Sequence, residues 1–137
     1  MKPIQQLALL ICLAAVAGIA CVIVPYGAVH GLDGSYPAPL FPVLKNSWEA
    51  LQLIPTIILL FGVGSALGFI RPTNWLILGS STVLLFPLAA ILEMAVDSGS
   101  HNLWPIEFVL YGILIAGPAL VGAFLGSVFA TGKKHAT

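Results

Sequence analysis

Residues 50–74 read Ala50-Leu-Gln-Leu-Ile-Pro-Thr-Ile-Ile-Leu-Leu-Phe-Gly-Val-Gly-Ser-Ala-Leu-Gly-Phe-Ile70 and then Arg71-Pro72-Thr73-Asn74. The run 50–70 carries no charge, and a second charge-free run, 72–92, starts directly after Arg71. A helix rises 1.5 Å per residue, so about 20 apolar residues cross the ~30 Å of hydrocarbon in a bilayer. Two such runs joined by a four-residue polar turn predict a transmembrane helical hairpin. Thr73 or Asn74 is the expected cap of its second helix.

The pattern repeats along the chain. Charge-free runs also cover 3–32 and 108–132. These are continuous apolar stretches, unlike the ~10-residue alternating segments of a membrane barrel. Within lipid only helices and closed barrels satisfy every backbone group. The sequence therefore predicts an all-α integral membrane protein, one domain over 1–137, with spans near 4–24, 48–70, 75–96 and 105–130. Outer loops are expected over 25–47 and 97–104. The first loop holds Gly27, Gly31, Gly34, Pro37, Pro39 and Pro42 and reads as irregular. Asn46 and Glu49 have capping-box spacing at the start of the second span. Pro55, Pro87 and Pro118 lie inside spans 2, 3 and 4 and imply kinks there.

Composition agrees. Of 137 residues, 59% are hydrophobic and 7% charged, against ~25% charged in a typical soluble domain. Mean hydropathy is +1.06. So few charges cannot cover a soluble surface, which excludes soluble enzymes. A net charge of zero offers no basic footprint for nucleic acid.

Four crossings place both termini on one side together with Lys2, Arg71, Lys133 and Lys134, leaving Lys45 and all five acids on the other. The positive-inside rule then makes both termini cytoplasmic, in the inner membrane of a bacterium. Trp48, Trp75, Trp104, Tyr26 and Tyr36 fall near the expected interfaces, as an aromatic belt does. An alternative for span 1 stays open: Lys2, the apolar run and Ala15-Val16-Ala17 resemble a cleaved signal peptide.

Spans 2 and 4 align without a gap, Glu49 on Glu107, Gly64 on Gly122 and Gly68 on Gly126. Residues 10–20 can likewise be laid on 85–95. The chain thus reads as two hairpins, with a tandem parallel repeat as one explanation and chance similarity of apolar spans as the other. Gly64/Gly68 and Gly122/Gly126 are small-xxx-small pairs, which let helix backbones approach closely. They are expected to serve packing within the chain before a dimer, and their faces are also expected to meet partners.

Chemistry concentrates on the outer side. Glu93, Asp97 and His101 are spaced i, i+4 and i+8, and Glu107 opens span 4 across the short loop. An ionisable residue inside a span is costly and marks function by default, so Glu93 is a candidate for carrying a proton, a cation or an amine. The bland reading is that Glu93 reaches the interface and that Glu107, like Glu49, is a first-turn acid favoured by the helix dipole. A metal site using His30, Asp33 and His101 with the carboxylates is a minor alternative without diagnostic spacing, and no cofactor is expected. Cys12 and Cys21 fall on nearly opposite faces of one helix and cannot pair there.

In length and span number the chain resembles the small multidrug transporters and the fluoride channels. It departs from the first in having no charge in span 1, and from the second in lacking glycine–asparagine motifs. The functional expectation is a small non-enzymatic membrane protein, an accessory or structural subunit whose partners are the bilayer and a membrane protein. One alternative is a homo-oligomeric transporter or channel using Glu93. A second is an outer-face enzyme using His101 with Glu93, Asp97 or Glu107.

Overall fold

The computed structural model describes residues 3–30, 54–96 and 104–134. Apart from Arg71 all of these are helix or turn, and there is no strand among the described residues. Helix α1 spans Pro3–His30 and α2 spans Ile54–Ile70. A 3-10 turn, Pro72–Asn74, leads into α3, Trp75–Ser81. Helix α4 spans Leu85–Val96 and α5 spans Trp104–Tyr111. A π-helical segment, Gly112–Ala116, then joins α5 to α6, Gly117–Lys134.

Three stretches are long and apolar enough to cross a membrane: Pro3–Pro25, Pro72–Leu92 and Phe108–Gly132, of 23, 21 and 25 residues. Helix α2 is equally apolar but has 17 described residues. The protein is a helical membrane protein by the length and composition of these helices. Its surface supports this. Large apolar side chains such as Ile4, Ile54, Val24 and Phe129 (71% exposed) point outward, while Ala14, Ala90, Ala119 and Ala123 are buried. Water would penalise that arrangement. Lipid does not, because its tails are as apolar as leucine and small residues inside let helices close up.

Two clusters order the bundle. One unites Val22, Leu60, Phe86, Tyr111 and Ile115, and the other unites Ala14, Leu67 and Leu78. From the second to the first, α1 and the α3–α4 segment run with the chain while α2 runs against it. Packed α1 and α2 are therefore antiparallel. At the other end Trp75 meets Phe124 edge-on with centroids 5.4 Å apart, so span 4 opposes span 3. Helix α2 packs on α6 and α1, and α3 packs on α1 and α6. Arg71 ties the start of α1 to the α2–α3 turn by donating from Nη2 to Gln6 Oε1.

Several boundaries differ from the sequence reading. The first helix does not stop at residue 24: it continues through Pro25 to His30. Proline removes one donor, to the Cys21 carbonyl, yet Pro25 is helical and buried. Residues 31–47 of the expected first loop, with Asn46 and Glu49, lie outside the described residues. Neither Thr73 nor Asn74 caps α3 through its side chain. The Thr73 hydroxyl instead donates to Asn74 Oδ1 at 3.2 Å.

Span 3 is not one helix. It breaks at Thr82–Leu84, where the amides of Thr82, Val83 and Leu84 bond three residues back at 3.4, 3.3 and 3.2 Å. Pro87 explains this. It has no N–H for the Val83 carbonyl and its ring crowds that oxygen, which accepts from Phe86 at 3.0 Å instead. Pro118, one span later, has no N–H for the Leu114 carbonyl, and the chain widens into the π-helical segment just before it. Because Phe86 lies against Tyr111, with ring centroids 5.6 Å apart, and Gly79 against Leu120, the two irregular segments sit at about the same level of the bundle.

Candidate functional site

Among the described residues, α2 and α6 pack closely along their length. A Cβ on Gly64 would fall on the Ala119 carbonyl oxygen and 2.9 Å from Ala119 Cα, and one on Gly68 would fall on the Ala123 carbonyl and 2.8 Å from Ala123 Cα. Conversely, a Cβ on Gly122 would meet the Phe61 carbonyl and one on Gly126 the Ser65 carbonyl. Contacts rise together along both helices, so α2 and α6 are parallel. Each pair also maps onto another when the two helices are exchanged, which is the symmetry of two facing small-xxx-small motifs.

Carbonyl oxygens here stand where a side chain would start, facing a glycine Cα–H. Such contacts recur at helix–helix interfaces and contribute about 0.5–1 kcal/mol each. The four glycine faces are thus consumed inside the chain, which corrects the expectation that they meet partners.

Sequence reasoning named the glycines but not what they touch. Ala119, Gly122, Ala123 and Gly126 are spaced i, i+3, i+4 and i+7, one continuous small face, and that spacing was readable. Two further close approaches escaped it. Gly18 admits the Thr82 carbonyl at the break in span 3, and a Cβ on Gly79 would lie 2.9 Å from Leu120 Cδ2. Gly18 has small-xxx-small spacing with Ala14, whereas Gly79 has no small residue four positions away on either side.

The outer polar candidates are placed by register. Glu93 stands four residues past Ala89 and three past Ala90, both buried. Glu107 stands four residues before the buried Tyr111. Ala89, Phe86 and Tyr111 share one cluster, and positions 93 and 107 lie about one helical turn from it along α4 and α5. Asp97 and His101 lie outside the described residues, as does Asp33.

Most hydroxyls in the helices satisfy themselves on their own backbone: Ser65 donates to the Phe61 carbonyl at 2.9 Å, Ser81 to that of Ile77 at 2.7 Å and Ser127 to that of Phe124 at 2.7 Å. Thr56 Oγ1 is the exception among the described residues, fully enclosed and without a partner. Thr56 lies one turn before Leu60 on the same inward stripe of α2. Cys12 is exposed and Cys21 buried, as opposite faces require. No group of three histidine, cysteine or acidic residues able to hold a metal occurs among the described residues.

Comparison with known protein families, characterised proteins and solved structures gives no match.

Proposed function

We propose that this chain is a four-crossing, accessory or structural subunit of a membrane assembly in a bacterial cytoplasmic membrane, with both termini cytoplasmic. The carrying observation is a second small-xxx-small pair. Gly62 and Ala66 are both exposed on α2, and no heavy atom lies within 4 Å of a Cβ built on Gly62. At 100° per residue this pair faces away from Gly64/Gly68. One face of α2 is used inside the chain, and the other offers the same close-packing chemistry to a partner helix. The opposed directions of neighbouring helices and the four-to-one bias of basic residues support the topology. A reporter active only in the cytoplasm, fused after Thr137, tests it: an inactive fusion overturns the orientation.

The role is tested by purification from native membranes in mild detergent, followed by mass spectrometry of the intact assembly. A different membrane protein in fixed ratio, released by Gly62→Leu with the bundle intact, is the expected result. Recovery of the chain alone, or of a homo-oligomer indifferent to Gly62→Leu, sinks the subunit reading.

A second reading has its own support. Glu93, an ionisable residue within the apolar helix α4, suits a homo-oligomeric transporter or channel with Glu93 as the coupling residue. Reconstituted in liposomes, it should lose cation- or proton-coupled flux on Glu93→Gln while still assembling. Unchanged flux removes Glu93 from the mechanism.

A further inference from the structure

A cleft of about 260 Å³ is lined by Gln6, Leu9, Leu10, Ile70 and Arg71. The lining is segregated. Gln6 and Arg71 form its polar end and are bonded to each other, while Leu9, Leu10 and Ile70 form an apolar wall between α1 and α2. Leu9 is 51% and Ile70 58% exposed, so the wall opens to the surface of the bundle.

Two other clefts provide a comparison. One is lined by Ile19, Leu85, Leu88, Ala89 and Leu92, and the other by Trp75, Leu76, Leu120, Val121 and Phe124. Neither has a charged lining residue, so both suit acyl chains alone. The Arg71 cleft differs by having a cation at its end.

That cation lacks a counter-charge within the described residues. The acidic positions in the described helices, Glu93 and Glu107, lie beyond the Phe86–Tyr111 cluster at the opposite end of the bundle. Guanidinium presents five N–H donors in a planar fork suited to phosphate, and Gln6 accepts one of them. Arg71 also follows directly on the end of α2, where a helix that crosses the bilayer meets the headgroups.

We propose that this cleft is a binding site for an anionic phospholipid, its phosphate on Arg71 and an acyl chain along Leu9, Leu10 and Ile70. Gln6 positions the guanidinium by holding one edge of it, which leaves the rest of the fork for the headgroup. The occupant is an intact lipid rather than free phosphate, because the apolar wall continues directly from the cation.

The test is native mass spectrometry of the full chain released from mixed micelles holding equal phosphatidylglycerol and phosphatidylcholine. The wild-type chain should carry phosphatidylglycerol over phosphatidylcholine by about fivefold, the effect of one basic residue near an anionic headgroup. Arg71→Gln should bring that ratio to about one, and Arg71→Lys should keep part of it. Leu9→Trp, which fills the exposed cleft without touching the charge, should lower retention of phosphatidylglycerol. Glycerophosphate in excess should not compete. Equal binding of both lipids by the wild-type chain overturns the proposal, as does a preference that survives Arg71→Gln. Indifference to Leu9→Trp, or competition by glycerophosphate, would reduce the site to a bare phosphate contact and overturn the lipid assignment.

Discussion

Gly68→Ala is expected to destabilise the helix bundle by about 2–3 kcal/mol, while Gly62→Ala, six residues earlier on the same helix, is expected to be neutral or slightly stabilising. Two effects compete at each site. Alanine is the better helix former by up to about 1 kcal/mol. Against this stands the new methyl group. At position 68 it lands on the Ala123 carbonyl and within 2.8 Å of Ala123 Cα. Neither partner is a flexible side chain, so relief requires α2 and α6 to move apart. That movement also loosens Gly64, Gly122 and Gly126, whose contacts are of the same kind. At position 62 the methyl group meets nothing within 4 Å, and helix propensity decides. Titration with a denaturing detergent, followed by tryptophan fluorescence, measures both variants. Equal stability of the two would mean that α2 and α6 do not cross at these glycines.

Phe86→Ala is expected to cost about 2 kcal/mol in the same titration, and Phe129→Ala less than about 0.5. Phe86 is fully buried, packed with Leu60, Val22 and Ile115 and tilted against the Tyr111 ring. In water such a truncation costs about 3–5 kcal/mol, combining lost transfer energy with a cavity. Inside a bilayer the transfer part shrinks, because the separated helix still sits in hydrocarbon. The cavity part survives: removing ~100 Å³ at ~24 cal/mol per Å³ leaves about 2 kcal/mol. Phe129 is exposed on α6 and loses only lipid contacts. A cost at Phe86 as small as at Phe129 would show that the Phe86–Tyr111 cluster is not a packed core.

The helical and membrane character was legible because it depends on composition over lengths of about 20 residues, and no tertiary contact can alter that. The turn at Arg71–Asn74 was legible for the same reason: a lone cation and a proline between two charge-free runs leave few alternatives. The glycine pairs were visible as motifs, since i and i+4 share a helix face whatever the fold. Positions 93 and 107 could be named from the sequence, because a charge within or beside an apolar run stands out whatever the fold.

Other features were decided by packing. Pro25 stays inside a helix, whereas Pro87 is preceded by a break and Pro118 by a π-helical segment. The same residue type thus gives three local outcomes, which its own chemistry does not distinguish. Gly18 matters only because the broken span 3 presents the Thr82 carbonyl to it. Which glycine face meets α6 and which meets the surroundings is likewise settled by the register of two helices about 58 residues apart in the alignment of their motifs. The sequence by itself determined the solvent and the number of apolar runs, through local chemistry summed along the chain. The tertiary structure alone decided which small faces are consumed, where the helices break and that Arg71 meets Gln6, because each depends on atoms brought together from distant parts of the chain.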